Sequence, residues 1–415
     1  MPSAALLVPI FVLTWLGIAA TRVPFLNLDR PAAALVGAVA LLATGLFTLV
    51  EAFAFVDWNV IAFLLGVMVT IAHLEIGGFF AWAARGLIAA SATPRRLLWN
   101  TIGGCALLSA FFVNDTVCLL LTPILLRATR AAGLPALPYL IAIATSSNIG
   151  SALTITGNPQ NMLIGIHSGI PFLRFLVVMS APVAIALVLD GLVLSLAFRA
   201  ALRPRPLACG DGCTEPFDAP LCMKALAGLL LTLVLFVAKS DHYPQAALLG
   251  GAFCLLTGRV ATAAVWRKTD WTILLFFAGL FVVMGALRKA GYLDALLLAA
   301  RPLVAEGGLS GYFAFAGLAA LLSNFVSNVP AVILLEPLVR ELGGSESWWL
   351  ALALASTLAG NFTLVASVAN LIVAEKATAA GERLPFFAYL KVGLPVSLAS
   401  VTLGVFWLHG VLGRG

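Results

Sequence analysis

Two short polar motifs interrupt apolar stretches of the chain, and their residue types are suited to binding small ions and solutes. They read Val-Asn-Asp-Thr at 113–116 and Ser-Asn-Val-Pro at 327–330. Amide and hydroxyl oxygens bind hard monovalent cations, whereas amide N–H groups bind anions. A buried carboxylate such as Asp115 binds Na⁺ or takes up a proton. Because Val329 stands at the matching place, the sequence assigns the coupling-ion chemistry to the first half.

A structural role for Asp115 is the alternative, since Asp commonly caps the N-terminus of a helix. The two roles are compatible.

Two longer apolar stretches carry a second set of polar residues near their centres. Glycine, proline and amides at membrane depth predict broken helices whose freed backbone groups face a binding site. Uncompensated polar groups there are costly, so they are functional candidates. The tips and breaks contain no Lys or Arg, so we expect any anion to be held by the helix N-termini. Together with Asn114, Asp115, Thr116, Ser327 and Asn328, the candidate site residues are Asn148, Gly157, Asn158, Asn161, Gly360, Asn361, Thr363 and Asn370.

Composition places the chain in a lipid bilayer. Of the 415 residues, 62% are apolar and only 10% are charged, against roughly 25% charged in a soluble domain. This excludes a soluble enzyme, a disordered regulator and a nucleic-acid reader. The net charge of +6 comes from short basic clusters between apolar stretches, as in cytoplasmic loops. The fold class predicted is an all-α polytopic membrane protein.

The two halves of the chain repeat each other. Pro31 recurs as Pro244, and Asp57-Trp58 recurs as Asp270-Trp271 at the same offset along the chain. Asn114 recurs as Asn328, and Asn161 as Asn370, at nearly the same offset. Landmarks in the same order at nearly constant spacing predict an internal duplication.

Each repeat is expected to contain about five membrane spans, one re-entrant hairpin and one broken helix. The second arm of the first hairpin, Thr116–Leu126, is too short to cross a bilayer, which favours re-entry. The predicted units are a first repeat at 1–200 (hairpin 97–130, broken helix 136–166), a cytoplasmic linker at 201–223, and a second repeat at 224–415 (hairpin 308–340, broken helix 348–375).

Basic residues predict the orientation. With both termini outside, most of the 24 Lys and Arg residues lie on the inner side, as cytoplasmic loops require. An odd number of spans per half then inverts the second repeat, which is the plan of secondary transporters. The expected location is the cytoplasmic (inner) membrane of a prokaryote.

Several other residues are weaker candidates. Asp190 lies in a span without an evident partner, and Glu336 is expected to face an outer vestibule. His73 and Glu75 are interpreted as interfacial. Cys209, Cys213 and Cys222 share one loop, where free thiols are favoured over a metal or metalloid site.

Three motifs resemble the ion transporter superfamily. They are Asn-Asp-Thr-x₅-Thr-Pro at 114–123, Asn-Ile-Gly-Ser-Ala-Leu-Thr-Ile-Thr-Gly-Asn-Pro-Gln-Asn at 148–161, and Ser-Asn-Val-Pro at 327–330. The chain is most similar to the branch of arsenite antiporters, sodium–proton antiporters and divalent anion–sodium symporters, which includes citrate-transporter-like permeases. Its Asn-Asp tip departs from the Ser-Asn-Thr tips of dicarboxylate symporters and looks more like the arsenite and proton-coupled branch.

The resemblance implies a transport domain that moves like an elevator against a scaffold, commonly in a homodimer. It implies a first site at Asn114, Asp115, Asn148 and Gly157-Asn158, where Na⁺ is a candidate ligand, and a second at Ser327, Asn328, Gly360 and Asn361. The second break, at 365–370, lacks the proline of Gly-Asn-Pro, which leaves a cation site there in doubt. No cofactor other than a coupling ion is expected.

The function predicted is secondary active transport of a small inorganic or organic anion, or an arsenite-like oxyanion acid, coupled to H⁺ or Na⁺. The alternatives are a sodium–proton antiporter without an anion substrate and a passive channel. An intramembrane protease is disfavoured, because His73 and His167 have no Gly-x-Ser-Gly companion.

Overall fold

The computed structural model describes residues 2–19, 22–23, 28–207, 216–238, 242–292 and 308–413, with positions 298, 301, 302 and 304. These residues are almost entirely helical, which confirms the predicted fold class. Their strands are β1 (Arg22–Val23) and β2 (Leu28–Asp29), a short antiparallel pair. Cys209 and Cys213 lie outside the described residues.

The first half contains ten described helices. They are α1 (Pro2–Ala19), α2 (Arg30–Ala43), α3 (Leu49–Phe55), α4 (Trp58–Ile76), α5 (Phe79–Ala89), α6 (Pro94–Phe111), α7 (Asn114–Ala131), α8 (Leu137–Ser151), α9 (Pro159–Ser168) and α10 (Phe172–Ala197).

The second half contains nine described α-helices and one 3₁₀ turn. They are α11 (Ala219–Ala238), α12 (Tyr243–Thr257), α13 (Thr262–Lys268), α14 (Trp271–Lys289), α15 (Gly308–Val326), α16 (Asn328–Glu341), α17 (Glu346–Leu358), the 3₁₀ turn Ala359–Asn361, α18 (Val368–Ala379) and α19 (Phe386–Leu412).

Six of the described helices are long and apolar enough to cross a membrane: α4, α10, α11, α14, α15 and α19. Large apolar side chains such as Leu13, Leu196 and Leu230 stand exposed on the outer surface. An apolar exterior of this extent fits a lipid-facing surface. The protein is therefore a multi-pass membrane protein.

The sequence landmarks that repeat are helix starts. Asp57 accepts hydrogen bonds from the backbone N–H groups of Asn59 and Val60 at the start of α4. Asp270 does the same for Thr272 and Ile273 at the start of α14. An Asp at this position satisfies N–H groups that have no partner within the helix. The duplicated Asp-Trp pairs therefore mark equivalent helix starts.

Two helix crossings are equivalent in the two halves. A Cβ built on Gly66 of α4 would lie 2.3 Å from the carbonyl carbon of Ala247 in α12. A Cβ built on Gly279 of α14 would lie 2.9 Å from the carbonyl carbon of Ala34 in α2. Gly66 corresponds to Gly279, and Ala34 to Ala247, at the offset that relates Asp57 to Asp270. Small residues at these points allow close backbone approach, as is typical of membrane helices.

The helices form two groups by their contacts. α4 packs on α11 and α12, while α14 packs on α2 and α2 on α1. The helices α6 to α10 and α15 to α19 pack mainly on one another, with α6 on α8, α15 on α17 and α10 on α19. We call the first set the scaffold group and the second the core group.

Two expectations on local structure were wrong. The second arm of the first hairpin, α7, has 18 residues because the helix continues through Arg127 and Arg130. The argument that this arm is too short to cross the bilayer therefore fails, and re-entry stays a prediction. The helix α11 begins at Ala219, inside the range predicted as linker. His73, near the end of α4, is buried within the protein at 1% exposure, and its Nδ1 lies 2.8 Å from the carbonyl oxygen of Val69. Its place at the membrane interface stays a prediction.

We expect Gly66→Ala to destabilise the protein by about 1–3 kcal/mol, because the added methyl overlaps the α12 backbone. Gly103→Ala is the matched control, since a Cβ on that helical glycine meets nothing within 4 Å. Thermal unfolding in detergent measures both variants. An equal midpoint for Gly66→Ala and the wild type would contradict this helix crossing.

Candidate functional site

A cavity of about 360 Å³ brings the two polar tips together. Asn114 and Asp115 reach it from the start of α7, and Ser327 and Asn328 from the start of α16. Gln160 and Ser367, which begin the second segments of the broken helices, also line it. The cavity thus joins the residues that the sequence predicted from both halves.

The scaffold group supplies the opposite wall of this cavity. The starts of α2 and α14 contribute Asp29, Arg30 and Asp270, and Phe276 and Phe277 add an apolar surface. Asp29 caps α2 through a 2.9 Å hydrogen bond from the N–H of Ala32. The cavity therefore lies between the two helix groups, where their relative movement would change its access.

Arg30 is the unusual residue of this wall. Its side chain is only 9% exposed, yet its Nε and Nη1 atoms have no hydrogen-bond partner. The oppositely charged Asp115 lines the same cavity. Unpaired donors on a buried charge are costly, which makes Arg30 a strong candidate for contact with a bound solute.

The second tip carries backbone strain and an unpaired acceptor. Ser327 has φ 75° and ψ 159°, a region that side chains other than glycine rarely adopt and that is enriched at ligand clamps. The next residue, Asn328, is buried, and its Oδ1 has no hydrogen-bond partner. The tip therefore contains, on a residue that lines the cavity, a buried acceptor that protein groups leave unused.

The first tip is fixed to the first broken helix. The backbone N–H of Asn114 donates to the carbonyl oxygen of Gly157 at 3.1 Å, and its Nδ2 donates to Asn148 Oδ1 at 2.9 Å. Gly157 is required there, because a Cβ would lie 2.2 Å from the carbonyl oxygen of Ser151. These contacts hold the Asn114–Asp115 corner in place below the cavity.

Asn148 is the centre of the hydrogen-bond network beneath the cavity. Its Oδ1 accepts from Asn114 and, at 3.0 Å, from the hydroxyl of Ser367. Its Nδ2 donates to Asn361 Oδ1 at 2.8 Å and to Asn370 Oδ1 at 3.0 Å. These four bonds use the full capacity of an amide side chain. Asn148 therefore joins the two halves and has no free atom for a solute.

Asn161 and Asn370 close the two helix breaks by equivalent bonds. Asn161 Nδ2 donates to the carbonyl oxygens of Ser151 at 3.1 Å and Thr154 at 3.0 Å. Asn370 Nδ2 donates to those of Gly360 at 2.8 Å and Thr363 at 3.2 Å. The acceptors match at the same offset that relates the two asparagines. The breaks are therefore built alike in both halves.

The bonds between the halves are also paired. At the offset that relates Asn161 to Asn370, Thr357 is the counterpart of Asn148. Asn148 donates to Asn370 Oδ1, and Thr357 donates to Asn161 Oδ1 at 3.5 Å. Ser367 donates to Asn148, and its counterpart Asn158 donates to Thr357 at 3.3 Å. This reciprocity is what a pseudo-two-fold relation between the repeats produces. It supports the internal duplication, and the inversion of the second repeat stays a prediction.

The predicted site residues thus fall into two layers. Asn114, Asp115, Ser327 and Asn328 line the cavity. The members Asn148, Gly157, Asn158, Asn161, Gly360, Asn361 and Asn370 are buried below it, while Thr116 and Thr363 are partly buried and do not line it.

Sequence reasoning missed the scaffold side of the site. Arg30 and Asp270 adjoin the repeat landmarks Pro31 and Trp271, which marked helix starts without indicating a cavity. How an anion would be held stays a prediction, and Arg30 in the cavity lining adds a cation to the helix N-termini that the sequence offered.

Two carboxylates are now placed. The N-cap position of α7 is Val113, which makes no side-chain capping bond. Asp115 lies in the first turn of α7, where the helix dipole stabilises its negative charge.

Asp190 has the partner that the sequence did not show, since the Thr145 hydroxyl donates to its Oδ2 at 2.9 Å. Asp190 is fully buried away from the cavity, which fits a structural role.

A family model described as citrate transporter matches residues 10–358. The chain belongs to this family. The resemblance that the sequence motifs carried is thereby confirmed, and members of the family and its relatives are transporters.

Several individual proteins are similar over most of this citrate transporter family member. An uncharacterized transporter of Mycobacterium tuberculosis is 31% identical, with 97% of each chain covered. The silicon efflux transporter LSI3 of Oryza sativa subsp. japonica is 28% identical, with 95% of each chain covered. The putative transporter arsB of Dictyostelium discoideum is 25% identical, covering 92% of this chain and 87% of that protein.

A solved structure shares the fold. The crystal structure of the Alcanivorax borkumensis YdaH transporter matches with a TM-score of 0.60 at 17% identity, covering 100% of this chain and 98% of that one.

We expect Asn161→Ala and Asn370→Ala to lower stability by similar amounts, roughly 1–3 kcal/mol each, because each leaves two buried carbonyl groups without their donor. Thermal unfolding in detergent compares them with Asn59→Ala, an exposed control. Strongly unequal losses would argue against equivalent construction of the two breaks.

Proposed function

We propose that this citrate transporter family member is a proton-coupled secondary active transporter of a small oxyacid. In its transported form the substrate carries hydroxyl groups and little or no negative charge, as arsenous and silicic acids do. Na⁺ coupling is the alternative for the coupling ion. The expected location is the inner membrane of a prokaryote, with the described cavity open to the cytoplasm.

The observation that carries the proposal is the pairing of unused donors and acceptors in one cavity. Arg30 offers unpartnered N–H groups, and Asn328 offers an unpartnered carbonyl oxygen. A hydroxylated acid satisfies both, because its oxygen accepts from the guanidinium and its O–H donates to the amide. An anion without hydroxyl groups would leave Asn328 unpaired.

The charge of the cavity favours a substrate of low charge. Four acidic residues line it, Asp29, Asp115, Asp270 and Glu375, against the basic residue Arg30. A multiply charged carboxylate would be repelled by this lining. The relatives named for silicon efflux and as arsB agree with a neutral oxyacid.

Asp115 is the proposed carrier of the coupling ion. It lies in the cavity beside Arg30, and the second tip has Val329 in the matching place. Of the four residues considered for Na⁺, Asn148 and Asn158 use their side-chain oxygens within the protein. Two side chains remain for a cation, which favours a proton over Na⁺, since Na⁺ needs more oxygen ligands.

The function is tested by uptake into proteoliposomes of arsenite, silicic acid, sulfate and citrate, with an imposed pH gradient and with or without Na⁺. We expect uphill accumulation of a neutral oxyacid that a proton ionophore abolishes. Purely downhill flux would support a channel. Na⁺-driven pH change in everted vesicles without any solute would support a sodium–proton antiporter.

Asp115→Asn should abolish proton-driven accumulation while the protein remains folded, because the amide cannot carry the proton. Asp218→Asn is the control, since Asp218 caps α11 through the N–H of Leu221 outside the cavity. Still-coupled transport by Asp115→Asn would refute the assigned role.

Arg30→Gln should weaken substrate affinity roughly 10-fold or more, because hydrogen bonds to a charged group contribute about 1.5–3 kcal/mol. The measurement is KM for uptake of the accepted oxyacid. An unchanged KM would show that the substrate does not contact Arg30.

A further inference from the structure

A second cavity, of about 530 Å³, holds a cluster that the proposed transport site does not use. The first cavity is lined by residues 270–277 around the start of α14, and the second by residues 281–289 near its end. Asp57, His167 and Glu336 line the second cavity together. The two cavities therefore lie toward opposite ends of the same scaffold helix.

His167 lies between two carboxylates. Its Nε2 is 2.6 Å from Asp57 Oδ2, and its Nδ1 is 2.8 Å from Glu336 Oε2. The second contact is too bent to count as a hydrogen bond, but the two charges are adjacent. A carboxylate oxygen beside each ring nitrogen favours the imidazolium form, in which both nitrogens carry hydrogen. The arrangement therefore favours a bound proton.

The two carboxylates are held rigidly by their own elements. The other oxygen of Asp57 caps α4, accepting from Asn59 and Val60. The other oxygen of Glu336 accepts from Arg340 Nη2 at 2.8 Å and Nε at 3.0 Å. The guanidinium of Arg340 is itself stacked 5.7 Å from the Trp349 ring. Asp57 cannot follow His167 if the core group moves, whereas Glu336 belongs to the same group as His167.

The cluster joins the two helix groups. Asp57 belongs to α4 of the scaffold group, whereas His167 ends α9 and Glu336 lies on α16, both of the core group. A displacement of one group against the other separates His167 from Asp57 and keeps Glu336 at its side. The imidazole is therefore flanked by two carboxylates in this arrangement and by one after such a displacement.

Other charged groups around His167 do not replace the carboxylate of Asp57 after such a displacement. From α14, Arg288 and Lys289 line the same cavity, and Lys289 is paired with Glu51 of α3 at 2.5 Å. From α17, which packs on α9, Glu346 is paired with Arg174. Arg288, Lys289 and Arg340 disfavour a cationic imidazole, so the proton depends on Asp57 and Glu336 together.

A metal ion fits this cluster less well than a proton. The two carboxylates face opposite nitrogens of the ring and do not converge on one point. Within the part of the chain that the structure describes, no group of three or more His, Cys, Asp or Glu side chains forms a metal site. The three side chains are 15–20% exposed, so water in the cavity can deliver or accept the proton.

We propose that His167, held between Asp57 and Glu336, is a second proton-binding site whose occupancy favours the arrangement in which the two helix groups meet at this end. A ligand that binds one conformation more tightly shifts the population toward it. Low pH then holds this arrangement, and high pH releases it. The proposal depends on movement of the helix groups and not on the identity of the substrate.

The test measures distances between spin labels at Val50 of α3, which packs on α14 of the scaffold group, and Leu196 of α10 in the core group. Both positions are exposed. Labels replace these residues in a variant without native cysteines, in proteoliposomes from pH 5.5 to 8.5 without substrate. We expect a second distance population to grow as pH rises. In His167→Gln the distribution should not depend on pH.

Asp57→Asn provides a second variant that keeps the helix cap, since Asn caps as well as Asp. The midpoint of its transition should fall by roughly one pH unit, because one neighbouring charge is lost. Glu75→Gln is the matched control. It breaks the 2.6 Å ion pair between α4 and Lys268 of α13 at the other end of α4, and it should retain the wild-type transition.

A wild-type distribution that does not change with pH would overturn the proposal, as would a transition that persists in His167→Gln. Loss of the transition in Glu75→Gln would also overturn it, because the response would then be general to charge on α4. These results concern conformation without substrate, so they leave the transport proposal to be judged by its own assay.

Discussion

The structure depends on one constraint, which is that polar groups freed by broken helices inside an apolar bundle must find partners within the protein. The amide of Asn148 meets this constraint by four hydrogen bonds that join the first tip to both breaks. Asn161 and Asn370 satisfy the carbonyl groups at the breaks themselves. These needs are met below the cavity, while polar atoms of two residues that line it, Arg30 and Asn328, remain without hydrogen-bond partners.

The two repeats share the same helix framework but differ in their polar and charged side chains. Arg30 corresponds to Tyr243 at the offset that relates Pro31 to Pro244, and the Tyr243 hydroxyl donates to the carbonyl oxygen of Ile170 at 2.8 Å. Asp115 corresponds to Val329, and His167 to Lys376. The frame gives each half the same helix starts, crossings and breaks. The substitutions then place a guanidinium and a carboxylate in one cavity and an imidazole in the other.

The two cavities lie toward opposite ends of the same scaffold helix, α14. One lies between the groups near the start of α14 and contains both polar tips, and the other lies near the end of α14 and is bridged by Asp57, His167 and Glu336. Charged side chains line both cavities. The first has four acidic residues and Arg30, and the second has His167 between two carboxylates.

The sequence by itself determined the fold class, the duplication and the two tips, because these depend on local composition and on spacing along the chain. Asn114 and Asn328 were recognised as polar interruptions at equivalent positions, and the structure places both in one cavity. Only the tertiary structure decided that Asn148 is fully bonded within the protein, that Arg30 enters the cavity, and that His167 lies between Asp57 and Glu336. These outcomes depend on contacts between residues far apart in the sequence, set by helix packing. Local pattern carries no information on which distant partner a side chain meets.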